Sequence, residues 1–193
     1  GSFELHWGNV PVVIDPGRST YEDCAQARHD VSGHSHNALL IDGHDPYPAN
    51  KPYFAADFRQ AICGAAPILN CSESEIKLHH RGFSRLRGVI AVERRCWFEG
   101  DQTVIVVDRA LGKGRRTMER RLITALPVEE GGRILVGPSV RFRVICDGAI
   151  RVEPMTLWSA YGEARPGSCI IISNRNMLPW SGRLRIEALP CVD

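Results

Sequence analysis

The chain has 193 residues, 44% hydrophobic side chains and 24% charged ones, enough for a single domain with a real core and too well balanced for global disorder. Its 18 glycines and 12 prolines suit a turn-rich β protein better than a helical bundle. A net charge of +2 gives no electrostatic reason to expect nucleic acid, and no apolar run approaches the roughly 18 residues of a membrane-spanning helix.

The pattern along the chain is alternation with period two. Phe3 to Trp7 reads as a strand already under way at the start, as expected of a domain cut from a longer protein. Val12-Val13-Ile14 then runs into Asp15-Pro16-Gly17, and His34-Ser35-His36-Asn37 precedes the apolar run 38–41. From about 43 to 74 the alternation stops. Pro-rich sequence there gives way to 55–62, which can form one or two helical turns within a long loop.

Strands are expected at 89–99, 103–108, 116–126, 134–136, 141–146, 150–158, 168–173 and 183–188. Gly100-Asp101 and Gly131-Gly132 mark hairpins, and Asp147-Gly148 is the strongest hairpin signal. About a dozen short strands with turns every 8 to 12 residues predict an all-β, two-layer antiparallel sandwich, one domain over 1–193, with one long loop or short helix around 45–72.

Seven cysteines without a C-x-x-C pair argue against a thiolate zinc cluster, and an odd count does not imply a disulfide framework. Several sit in apolar runs and read as small buried hydrophobes. Lysine occurs only at 51, 77 and 113; the other basic residues are arginines, whose planar fork suits acidic partners. At least two of the four tryptophans, 7, 97, 158 and 180, are expected in the core, and any left exposed could stack on sugars.

Chemistry is concentrated in the first 45 residues. Asp15 ends an apolar strand, where a carboxylate can reach a ligand at the sheet rim. His34 and His36 are two apart on what reads as extended chain, so their rings are expected to share a face. One Asp and one or two His can form part of a zinc site, although an open site still needs three ligands. Asp-Pro-Gly is equally a common turn, and His before Asn equally a strand cap. Tyr21 is a candidate proton donor or an ordinary loop tyrosine, and Arg28 a candidate clamp for uronate or sulfate or a surface ion pair.

The run Ser2-Phe3-Glu4-Leu5-His6-Trp7-Gly8, then Val12-Val13-Ile14-Asp15-Pro16-Gly17, His36-Asn37 and Leu40-Ile41-Asp42-Gly43, resembles the heparinase II/III-like polysaccharide lyases. Looser matches are His79-His80-Arg81-Gly82-Phe83, Val104 to Arg109 with Gly112, and Tyr161-Gly162-Glu163. The resemblance implies the C-terminal β-sandwich of a two-part bacterial enzyme whose N-terminal α/α toroid is not in this chain. It implies cleavage of uronate-containing acidic polysaccharide by β-elimination, and negligible activity of the sandwich alone.

Carried over by position, Asp15 and His36 match two zinc ligands of the family, with a further ligand in a histidine-rich string upstream of Ser2. Tyr21 and His34 are then candidate catalytic groups, and Arg28 and Asn37 candidate substrate contacts. His34 departs from the small residue commoner at its position. A non-catalytic carbohydrate-binding or assembly module is the alternative; it would have an exposed aromatic platform and a fully buried Asp15–His36 pair. Compartment stays open: a periplasmic or envelope location fits the resemblance, and the odd cysteine fits a reducing interior.

Overall fold

The computed structural model describes residues 1–48, 56–160 and 162–189. In chain order it contains β1 (Leu5–Trp7), β2 (Val10–Val13), α1 (Ala25–Asp30), β3 (Leu39–Ile41), α2 (Ala56–Cys63), β4 (Ile68–Cys71), β5 (Glu75–His80), β6 (Val89–Phe98) and β7 (Thr103–Gly112). There follow β8 (Arg115–Thr124), β9 (Val128–Glu129), β10 (Ile134–Val136), β11 (Arg141–Cys146), β12 (Ala149–Ala160), β13 (Glu163–Met177) and β14 (Trp180–Leu189). Among the described residues no helix is long and apolar enough to cross a membrane.

The strands form two antiparallel layers: an eight-stranded sheet ordered β4-β5-β6-β7-β14-β11-β10-β9, and a four-stranded sheet ordered β12-β13-β8-β3. A short ribbon, β1-β2, lies beside them. The expected all-β sandwich is therefore the observed one. Its core follows from the alternation: Val104, Val106, Phe142, Val144, Leu184 and Ile186 of the large sheet meet Leu122, Ile170 and Ile172 of the small one.

Residues one step along, Ile123, Cys169 and Ile171, point to the opposite face of the small sheet and pack with Leu157 and Ile14. That second cluster brings the N-terminal segment onto the outside of the sandwich. It sets where the chemistry-bearing residues stand.

Three expectations are corrected. Asp147-Gly148 is not a hairpin: β11 pairs with β14 and β12 with β13, so the turn carries the chain from one sheet to the other. Alternation identifies strands but not their partners, and the twelve-residue β12 finds a better match in the long β13. Only Gly148 of the two has positive φ, at 146°, and the Asp147 carboxylate is held by the buried Arg120 guanidinium.

The 43–74 stretch contains the expected short helix, α2, but also the strand β4, whose side chains are all exposed and therefore carry no alternation. The run 168–173 is only the centre of β13, whose polar ends leave no apolar signal.

Of the tryptophans, Trp180 is buried beside Phe83, Ala110 and Met118, and the partly buried Trp7 packs edge-to-face on Phe142 of the main core at 6.2 Å. Cys63 and Cys169 are buried and Cys71 is exposed; Cys191 lies outside the described residues, as does Tyr161. The buried arginines are less expected. Arg94 forms two hydrogen bonds to Asp108, at 2.7 and 3.0 Å, in the interior.

Candidate functional site

The Asp15-Pro16-Gly17 turn is a backbone joint as well as a local turn. The Trp158 N–H on β12 donates to the Pro16 carbonyl at 2.6 Å. Gly17 has φ 72°, and a Cβ there would stand 2.3 Å from the Trp158 carbonyl oxygen, so glycine is required both by conformation and by close approach. The Asp15 Oδ1 accepts the Gly17 N–H at 3.0 Å, which closes the turn.

The other carboxylate oxygen, Oδ2, lies 2.9 Å from Nδ1 of His36. The acidic and imidazole groups thus meet, as expected from their places in the sequence. Both remain partly open to solvent, with side-chain exposures of 38% and 27%, so the fully buried pair required by the non-catalytic alternative is absent. The His36 hydrogen bond, helped by the Gly17 N–H, holds the Asp15 carboxyl below the usual carboxylate range against the opposing effect of burial. An ionised carboxylate can only accept, so Nδ1 of His36 is the donor of this bond.

His34 does not share this face. Residues Gly33–Ser35 form a 3-10 turn, pinned by the Ser35 hydroxyl donating to the His29 carbonyl at 2.8 Å. The turn rotates the His34 ring to within 3.0 Å of the Gly43 carbonyl. The extended segment expected from spacing is not formed, and His34 lies apart from the Asp15–His36 pair.

Asn37 is likewise moved from groove to core. It has 0% exposure; its amide donates to the carbonyls of Phe3 and Ile14 at 2.8 and 2.9 Å, and its Oδ1 accepts the Ile123 N–H at 2.7 Å. A side chain with every polar atom engaged inside the fold has nothing left for a substrate, so the substrate-contact expectation for Asn37 is replaced by a structural role. Arg28 is exposed, ion-paired with Asp23 at 3.1 Å, and outside the cleft.

The cleft itself, about 570 Å³, is lined by Asp15, Arg18, Tyr21, Val31, His36 and Trp158 among others. Tyr21 is 76% exposed, and the Arg18 guanidinium lies over its ring at 4.4 Å. Arg18 was not singled out from the sequence, and Trp158 only as one of four tryptophans. Arg18 directly follows the Asp-Pro-Gly turn, a proximity that could have drawn attention to it, whereas Trp158 reaches the cleft only through the fold. Asp30 lines the same wall. Burial raises its pKa, but the Ser19 hydroxyl and amide and the Gln26 amide together bring it below the usual range.

A zinc ion is not accommodated by these residues alone. Asp15 and His36 are donors of the right kind, but two are fewer than an open site needs, and each engages the other. Among the described residues no three His, Cys, Asp or Glu side chains are grouped to hold a metal.

The model of the heparinase II/III-like C-terminal family matches residues 1–177. The chain belongs to that family. No protein of curated function matches the sequence. Among solved structures, the fold is similar to a heparan sulfate lyase, HepC, from Pedobacter heparinus, with TM-score 0.73 and 10% identity over 100% of this chain and 31% of that one. It is also similar to a heparinase III, with TM-score 0.63 and 17% identity over 98% of this chain and 29% of that one. A heparinase III gene product aligns with TM-score 0.70 and 9% identity over 98% and 30%. The family chain described here therefore spans under a third of the length of these structures.

Proposed function

We propose that this chain is the C-terminal sandwich of a lyase that cleaves uronate-containing polysaccharide by β-elimination, its cleft forming one wall of the substrate groove against an N-terminal α/α toroid. The observation that carries the reading is the Asp15–His36 pair, 2.9 Å apart and open to a cleft at the turn that marks the family. The family match and the lyase structures of similar fold support it further.

β-Elimination takes a proton from the carbon beside a uronate carboxylate and expels the glycosidic oxygen from the neighbouring carbon. Such a site must hold the carboxylate, place a base and return a proton to the leaving oxygen. In this reading the Asp15 contact at Nδ1 orients the His36 ring and Nε2 is the atom that takes the proton. In this reading Tyr21, which lines the same cleft, gives a proton to the leaving oxygen. The remaining groups come from the toroid.

The test is ultraviolet absorbance of the unsaturated uronate end formed from heparan-type and other uronate polysaccharides. The protein with its toroid is expected to generate it, residues 1–193 alone are not, and His36→Ala in the longer protein is expected to lose most of the rate. Full activity in that variant would remove the pair from the reaction. Absence of product from every uronate polysaccharide would overturn the lyase reading.

A further inference from the structure

We propose that Arg18 is the anion clamp of the Asp15–His36 cleft, gripping the carboxylate or sulfate of a sugar that lies along Trp158. The inference rests on the glycan reading above and assigns the residue that recognises the charge. Arg18 lines the cleft together with Tyr21, His36 and Trp158. Its guanidinium carbon lies over the Tyr21 ring, 4.4 Å from the centroid, a contact that restrains the fork before any ligand arrives.

Among the described residues that cation has no acidic partner. Its Nε is buried with no hydrogen-bond acceptor, and no ion pair to Arg18 is formed among the described residues. The two carboxylates in the same cleft are engaged elsewhere: Asp15 by His36 and the Gly17 N–H, and Asp30 by Ser19 and Gln26. A planar, pre-oriented fork lacking a carboxylate is a site for one supplied from outside.

Arg28, Arg120 and Arg121 do not offer this. Arg28 pairs with Asp23 outside the cleft, Arg120 is held by Asp147 between the sheets, and Arg121 donates to the His34 carbonyl at 3.0 Å. Trp158 lines both this hollow and the adjoining one formed with Pro16 and Met155, so its surroundings accommodate more than one sugar unit.

The test is calorimetric titration of residues 1–193 with four probes: an unsulfated hexasaccharide of alternating glucuronate and N-acetylglucosamine, its sulfated counterpart, and the carboxyl-reduced form of each. Arg18→Gln is expected to weaken binding of the first by about tenfold or more, the loss of charge-assisted hydrogen bonds. Arg18→Lys should recover part of it, and Arg143→Gln, an exposed charge elsewhere, should change nothing.

Wild-type protein should bind the unsulfated, carboxyl-reduced probe as weakly as Arg18→Gln does, which assigns the carboxylate; retained, Arg18-dependent binding of the sulfated, carboxyl-reduced probe assigns the sulfate instead. Equal affinity of wild type and Arg18→Gln overturns the proposal, as does wild-type chain that binds none of the probes. Either result leaves the product assay of the longer protein to decide the lyase reading independently.

Discussion

The Asn37 side-chain oxygen accepts the Ile123 backbone N–H at 2.7 Å, and the same amide donates to Phe3 and Ile14. One side chain therefore joins the start of the chain, the segment that leads from β2 into Asp15 and the end of β8. His36, its neighbour, is placed by that junction. Asn37→Ala would leave two carbonyls and one N–H buried without partners, so a loss of about 3 kcal/mol or more is expected. Urea unfolding followed by fluorescence measures it, and a loss under about 1 kcal/mol would show that water replaces the amide.

The Gly17 joint gives a second expectation. Alanine there meets the Trp158 carbonyl at 2.3 Å and holds an unfavourable φ, so the turn must lift from β12. Gly17→Ala is expected to cost more than about 1 kcal/mol and to separate Asp15 from His36. Amide spectra should show changes at Trp158 and His36 together; a change confined to residue 17 would mean that the turn adapts in place.

How much of this could be read beforehand depends on the range of the interaction. The alternation in 141–146 and 183–188 announces strands because each residue reports its own burial, and Asp-Pro-Gly announces a turn because the Asp carboxylate bonds its own backbone. The 3-10 turn at Gly33–Ser35 was not legible, since it depends on Ser35 reaching back to His29 and on the Asp45 carboxylate receiving the Gly33 N–H. Asn37 and Arg18 acquire their roles only from segments brought together by the fold. Hence the pairing of Asp15 with His36 was legible, and the fates of His34 and Asn37 were not.

Zinc uptake follows from the same pair. A metal bound by both residues must break the 2.9 Å hydrogen bond between them and still find a third ligand. Residues 1–193 are expected to retain little zinc after dialysis against a weak chelator, and Asp15→Asn should not change the amount. Stoichiometric retention that Asp15→Asn abolishes would contradict the two-donor geometry.

In the interior, Arg94 binds Asp108 through two nitrogens and also donates to the carbonyls of Gly1 and Asn37, at 2.5 and 2.7 Å. Burial alone would lower the Arg94 pKa, but the charge and the hydrogen bonds of Asp108 together, with a smaller contribution from Cys96, raise it. Asp108→Ala would leave a guanidinium unpaired in the core, with an expected cost of about 3–5 kcal/mol. The double change Arg94→Met with Asp108→Ala should be less damaging than Asp108→Ala alone, because the isolated charge is gone. A double variant weaker than the single would show that the backbone contacts to Gly1 and Asn37 carry the stability.

His80, at the end of β5, supplies the pH dependence. It is buried between Tyr47 and Phe83, and its Nδ1 accepts the Gly82 N–H at 3.2 Å, an arrangement that needs the neutral ring. Burial, reinforced by nearby positive charge, lowers its pKa from 6.5 to about 4. Between those values the unfolded chain takes up a proton that the folded chain refuses, so stability falls as pH falls, by up to about 1.4 kcal/mol per pH unit. Its contribution is complete above pH 6.5 and lost progressively down to about pH 4. Denaturant midpoints across that window should decline in the wild type and flatten in His80→Gln, which keeps an acceptor for Gly82 but does not titrate. Parallel curves for the two proteins would assign the acid sensitivity to another group.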